Sequence, residues 1–168
     1  MSAVIPVRVH GVALLPPDET PVMLLQETVG EQRWLPISIG APEAGALIAA
    51  YQEVEHVRPD TIELIGHVVE ALGRRVERVE VTALEEGIFL ADLVFDDDTR
   101  VSARPSDAVA IAVRAGATLE VDEDVLDAAA AEIQFAGEPD PADAEQQIAD
   151  FRAALDDVKP EDFGDRPD

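Results

Sequence analysis

The feature that most constrains this chain is a change in the period of its apolar residues. They alternate every two residues, then recur every three or four, then alternate again. Val7, Val9 and Gly11 alternate with Arg8 and His10, and the segments Val22–Val29 and Trp34–Ile39 follow across the turn signal Gly30-Glu31. This first block reads as three strands in a meander. Ala44, Leu47, Ile48 and Tyr51 then recur at helical spacing, as do Ile62, Ile65, Val69 and Leu72. Alternation resumes at Val79, Val81 and Ala83, passes a hairpin at Glu85-Glu86-Gly87, and continues through Phe89, Ala91, Leu93 and Phe95. After the Asp96-Asp97-Asp98 turn come a strand over 100–103 and a helix over 105–115 that Gly116 stops. A strand over 118–121 and a last helix carrying Val125, Leu126, Ala129 and Ile133 complete the block. Strand runs separated by helical runs predict an α+β fold, a mainly antiparallel or mixed sheet with helices packed on it.

Local signals place the helix ends. Pro42 suits a first helical turn, and Asp60 with Glu63 three residues on makes a capping box. Arg58-Pro59 is an extended joint, because a residue before proline avoids the helical region. With 168 residues the chain fits one domain and an appendage. The boundary falls at the Pro-rich joint Gly137–Pro141, giving a domain over 1–136 and a C-terminal amphipathic helical tail over 137–168 that carries Ile148, Phe151 and Leu155. That tail cannot fold alone, being a single short helix.

Several classes are excluded or disfavoured. No stretch approaches the roughly 18–20 uncharged apolar residues of a membrane-spanning helix. The first residues lack a signal-peptide pattern. Without cysteine, disulfides and thiolate metal sites are impossible. A cytoplasmic protein is expected. Thirty-six acids against twelve bases give a net charge of −24. That field repels nucleic-acid phosphates, so any nuclease chemistry requires a local cationic patch or metal ions.

The common catalytic templates are absent: there is no Gly-rich phosphate loop, no nucleophile elbow and no His-Glu-x-x-His. His10, His56 and His67 have no metal-ligand spacing among themselves, and His67 falls four residues after Glu63, on the same helix face. The segment Arg104-Pro105-Ser106-Asp107 stands out. Pro105 is preset for a first helical position, and Asp107 can accept from free first-turn amides. Arg104, at the strand-to-helix junction, can pair with Asp107 or Glu43 or hold a phosphate near the helix's positive end. Capping and anion binding both remain open on these residues alone.

The segment from Ser102 to Ala112 resembles the signature helix of the bifunctional nuclease family. Three further stretches agree in order and spacing: Leu35–Gly40 followed by Glu43-Ala44, then Arg58-Pro59-x-Thr61, then Glu86-Gly87-x-Phe89-x-Ala91. Val158-x-Pro160-Glu161-Asp162-Phe163 is similar to the C-terminal tail of some members. The resemblance implies an α+β domain, a homo-oligomer with a dimer favoured, and nuclease activity on RNA and DNA. It places Glu43, Arg58, Thr61, Glu63, Arg104, Ser106 and Asp107 at the matching positions. A sensible division of labour has Glu43, Glu63 and Asp107 hold Mg²⁺ or Mn²⁺ through oxygen ligands. Arg58 and Arg104 then clamp the phosphate, with Asp107 and Glu63 catalytic, while Thr61 and Ser106 hydrogen-bond a phosphate oxygen or a water. Two positions depart from the family pattern. Ile62-Glu63 stands where the family element has His-Asp, and Ser38 stands where tryptophan is common. If that histidine is a general base in relatives, this chain has lost it unless His67 or a water substitutes. The alternative is a catalytically impaired member that serves as an oligomeric binding or regulatory domain.

Overall fold

A computed structural model of the chain describes residues 3–133. The expected domain boundary near residue 137 and the helical tail beyond it lie outside the described residues. The first block is the expected meander: β1 (Val4–Leu15), β2 (Thr20–Glu27) and β3 (Trp34–Ser38), paired antiparallel in sequence order. β1 runs past the point where simple alternation ends. Its register with β2 slips between Val9 and Gly11, and Gly11 takes φ 147°, a backbone region that favours glycine. This bulge sets Val7, Val9 and Val12 opposite Glu27, Leu25 and Met23, so all three valines meet one core although their spacing is two and then three.

The second half contributes β4 (Val76–Glu85), β5 (Ile88–Phe95), β6 (Arg100–Ala103) and β7 (Thr118–Asp122). Between β4 and β5 only Glu86 and Gly87 turn the chain, at φ 50° and 82°, the paired left-handed geometry that matches strand twist. β7 then inserts between the two halves, antiparallel to β1 and parallel to β4. The result is one seven-stranded mixed sheet in the order β3-β2-β1-β7-β4-β5-β6. Val79, Val81, Leu93, Leu119 and Val121 supply its core face.

Among the described residues four helices accompany the sheet: α1 (Ala41–Tyr51), α2 (Thr61–Ala71), α3 (Pro105–Ala115) and α4 (Glu123–Ala129). α3 is the hub, with Pro105, Ser106 and every residue from Ala108 to Ala112 buried. Its alanines let α1 and α2 pack closely on either side. The last helix is shorter than its apolar spacing predicts. It ends at Ala129, Ala130 turns extended (φ −62°, ψ 140°), and Ala131 donates to the Trp34 carbonyl at 2.9 Å. The open edge of β3 captures the chain, so Ile133 never joins the helical stripe.

Two ion-pair networks staple the sheet. Glu27, 3% exposed, accepts from Arg33 through both carboxylate oxygens, and Arg33 also reaches Asp127 at 2.7 Å. Glu80 is clamped between Arg78 and Arg100, each at 2.7 Å. Burial pushes the Glu80 carboxyl up, but the two guanidiniums outweigh it and hold it below its usual value. No helix among the described residues is long and apolar enough to cross a membrane.

Candidate functional site

The seven residues picked out by sequence divide between the two ends of α3. At its N-terminus, the guanidinium of Arg104 donates from Nε to Asp107 Oδ2 at 2.6 Å and from Nη2 to Oδ1 at 3.0 Å. Its Nη1 lies 3.0 Å from Glu43 Oε1, in the first turn of α1. The fork geometry makes this a bidentate pair with one carboxylate and a second contact to another. Asp107, and then Glu43, raise the Arg104 pKa above its ordinary value. The Asp107 carboxylate therefore goes to Arg104 and not to the first-turn amides, and α3 begins with no side-chain cap. Gly40 allows Glu43 to fold back, since a Cβ there would collide with the Glu43 carboxylate. A shallow cleft of about 410 Å³ adjoins this corner, lined by Ser38, Glu43, Phe89, Arg104 and the buried Ser106. With two carboxylates on one guanidinium, the corner is first of all a clamp between α1 and α3.

The other group sits where α2 starts. The capping box forms as its spacing predicts: the Glu63 amide donates to Asp60 Oδ1 and the Asp60 amide donates to Glu63 Oε2, both at 2.8 Å. Sequence reasoning missed the next partner, His56. Its Nδ1 lies 3.0 Å from Glu63 Oε2 and 3.7 Å from Asp60 Oδ2. On the other carboxylate oxygen, Arg114 Nη2 stands 3.5 Å from Glu63 Oε1. That is a charge contact, too long for a good hydrogen bond, and the buried Nε and Nη2 of Arg114 have no hydrogen-bond partner. The Asp60 amide is the chief cause holding the Glu63 pKa below its usual value; burial opposes it, and His56 and Arg114 assist it.

His56, Glu63 and Arg114 open onto a cavity of about 500 Å³ between α2 and the end of α3, lined also by His67, Glu70 and Arg75. Arg58 is exposed just before this site and makes no ion pair among the described residues; Thr61 is exposed at the first position of α2. Ile62, where the family resemblance puts a histidine, is buried in the core. His67 lines the cavity and makes no hydrogen bond or ion pair with Glu63 among the described residues.

Arg104 and Arg114 are ten residues apart on α3, about 15 Å along the helix axis. Glu43 and Asp107 belong to the first end and Glu63 to the second, so the structure does not bring those three carboxylates round one ion. It brings together Glu43, Arg104, Ser106 and Asp107 on one side, and Glu63 with His56, Asp60 and Arg114 on the other. A signal for His56 was present in its spacing to Asp60 and Glu63, four and then three residues on. It is hidden when histidines are compared only with one another, because its partners are carboxylates.

Two relatives, each an uncharacterized protein of Mycobacterium tuberculosis from a different strain, are 43% identical to this chain over 159 residues. The match covers 94% of this chain and 96% of each relative. Residues 23–134 match the family model described as the bifunctional nuclease domain, a span that holds both ends of α3 and all seven sequence-derived positions. The chain belongs to the bifunctional nuclease domain family.

Proposed function

We propose that this protein is a nuclease that hydrolyses phosphodiester bonds in RNA and DNA with the aid of Mg²⁺ or Mn²⁺, and that the reaction takes place in the cavity between α2 and α3. The observation that carries this reading is the surroundings of Glu63. An imidazole stands 3.0 Å from one carboxylate oxygen, and a half-buried guanidinium whose Nε and Nη2 have no hydrogen-bond partner stands beside the other. Hydrolysis needs a water deprotonated as its oxygen attacks phosphorus, donors for the oxygens that gain charge, and a proton for the leaving oxygen. Glu63, kept ionised by its hydrogen bonds, orients His56 and the attacking water. Arg114 and Arg75 face the phosphate, and exposed Arg58 holds the next one along the strand. A bound divalent ion would lower the pKa of its water and neutralise phosphate charge.

In this reading the Arg104 corner is structural. Its contacts fix α3 against α1 and so set where Arg114 points. Ser106 and Thr61 remain candidates for substrate contact at the rims of the two clefts. A homo-oligomer, most simply a cytoplasmic dimer, belongs to the same proposal; Leu64, Val68 and Leu72 form an exposed apolar stripe on α2 that a second copy could cover. One observation favours the other reading, a non-catalytic binding domain: Ile62, where the family resemblance puts a histidine, is buried in the core. An assay of highly purified protein on single-stranded RNA and DNA, with and without each ion, separates the two. Turnover that EDTA abolishes supports the nuclease. No turnover with any divalent ion, in a preparation shown to be folded, sinks it.

A further inference from the structure

The α2–α3 cavity has the wrong charge for its proposed substrate. Glu55, Glu63 and Glu70 line it against Arg75 and Arg114, one net negative charge where a phosphate must sit, with Asp60 adding another beside it and exposed Arg58 standing just before it. The chain as a whole adds its own −24. Something cationic has to complete the site before a polyanion can enter it.

The ligands for such a group are already assembled. One ligand atom each from His56, Asp60 and Glu63 lies within 4.8 Å of the other two. Two ligands each about 2.1 Å from a shared ion lie about 3.0 Å apart at right angles and about 3.4 Å apart at a tetrahedral angle. The separations from His56 Nδ1, 3.0 Å to Glu63 and 3.7 Å to Asp60, match that scale. The capping box fixes both carboxylates before any ion arrives, since each accepts one backbone amide and keeps lone pairs for a metal. A second, independent feature points the same way. The buried Nε and Nη2 atoms of Arg114, without hydrogen-bond partners, lie beside Glu63 on the wall of the same cavity. A ligand that binds the ion and also accepts from a guanidinium satisfies both, and a phosphate does so.

We infer that His56, Asp60 and Glu63 form a site for one divalent ion of borderline character, with Mn²⁺ preferred over Mg²⁺. One imidazole nitrogen among carboxylate oxygens suits such ions better than the all-oxygen set Mg²⁺ favours. The ion takes the place of the direct contact between His56 Nδ1 and Glu63 Oε2. It offsets the negative charge of the cavity and would leave positions for a phosphodiester oxygen that also accepts from Arg114. This deepens the nuclease reading and rests on it for the substrate, but the ion site itself can be tested without nucleic acid.

The test is Mn²⁺ binding to the full chain, followed by electron paramagnetic resonance near physiological ionic strength, where nonspecific binding to surface carboxylates is weak. The wild type is expected to show one saturable site that excess Mg²⁺ displaces only poorly. His56→Ala, at a residue whose side chain is 41% exposed, should weaken it by about tenfold or more without loss of circular dichroism. Asp60→Asn, which keeps the helix cap, should weaken it too. Asp107→Asn, at the far end of α3, should bind as the wild type does. Equal binding by the wild type and His56→Ala, or no saturable site, overturns the inference. Saturable binding lost in His56→Ala together with no nuclease activity supports the ion site and defeats the nuclease reading. Nuclease activity with Mn²⁺ binding unaltered in His56→Ala does the reverse.

Discussion

His56 and Glu63 are seven residues apart in the chain, and their side chains meet at 3.0 Å across the start of α2. The imidazole comes from the loop before the helix and not from the helix itself. That relationship explains how a chain with isoleucine at position 62 can still place a histidine beside the carboxylate at position 63.

The first prediction concerns that imidazole. His56→Ala should lower kcat on single-stranded RNA by about 10²-fold, the usual scale for losing a proton-transfer or metal-binding group. His67→Ala should change kcat by less than about threefold, since His67 lines the cavity but makes no hydrogen bond or ion pair with Glu63. Steady-state kinetics with Mn²⁺ present check both. The reverse order would return the catalytic role to the helix-borne histidine.

A second prediction is purely structural. Glu27 is almost fully buried and depends on Arg33 for its compensating charge and three of its hydrogen bonds. Arg33→Met keeps the backbone amide and some of the packing but leaves the carboxylate unpaired. The expected loss is about 3 kcal/mol in urea unfolding, the lower end of the cost of breaking a buried ion pair from one side. A loss below about 1 kcal/mol would mean that water reaches Glu27.

Acid stability follows from the same groups. The Arg33 side chain chiefly holds the Glu27 carboxyl below its usual value, with burial opposing it; burial pushes Glu80 up, but Arg100 and Arg78 together outweigh it and hold it low. A depressed carboxylate contributes stability that is fully present above its unfolded pKa and is lost as pH falls through the folded value. The protein should therefore keep these contributions down to about pH 4.5 and lose them below it. Urea midpoints measured from pH 7 to pH 3 should show this fall. Glu27→Gln should be less stable at pH 7 and should lose less on acidification.

Much of this architecture was legible because each element carried its own signal. The hairpin at Glu86-Gly87, the capping box of Asp60 and Glu63 and the stop at Gly116 all appear where local chemistry requires them. What was not legible depends on distant partners. The bulge at Gly11 exists so that Val9 and Val12 can both face a core built largely by other strands. The early end of α4 is decided by the open edge of β3, a hundred residues earlier in sequence.

The site divides in the same way. Arg104, Asp107 and Glu43 were each identifiable, and the two pairings of Arg104 were anticipated. That Glu63 would lie at the opposite end of α3 was not, because the motifs fix order along the chain but not which end of a shared helix each one meets. Arg114 was unmarked for a related reason. In sequence it is only a helix residue near a C-terminus, and its burial against Glu63 arises from the packing of α2 on α3.

The account stands or falls on which end of α3 performs chemistry, and one comparison addresses it directly: single-turnover RNA hydrolysis by Glu63→Gln and Asp107→Asn under identical Mn²⁺ concentration. Glutamine still completes the capping box, so the first variant keeps the fold and loses only the charge. The account predicts a loss of about 10³-fold for Glu63→Gln and of less than about tenfold for Asp107→Asn. Loss of activity in Asp107→Asn with Glu63→Gln close to the wild type would contradict it, and would move the active site to the Arg104 corner.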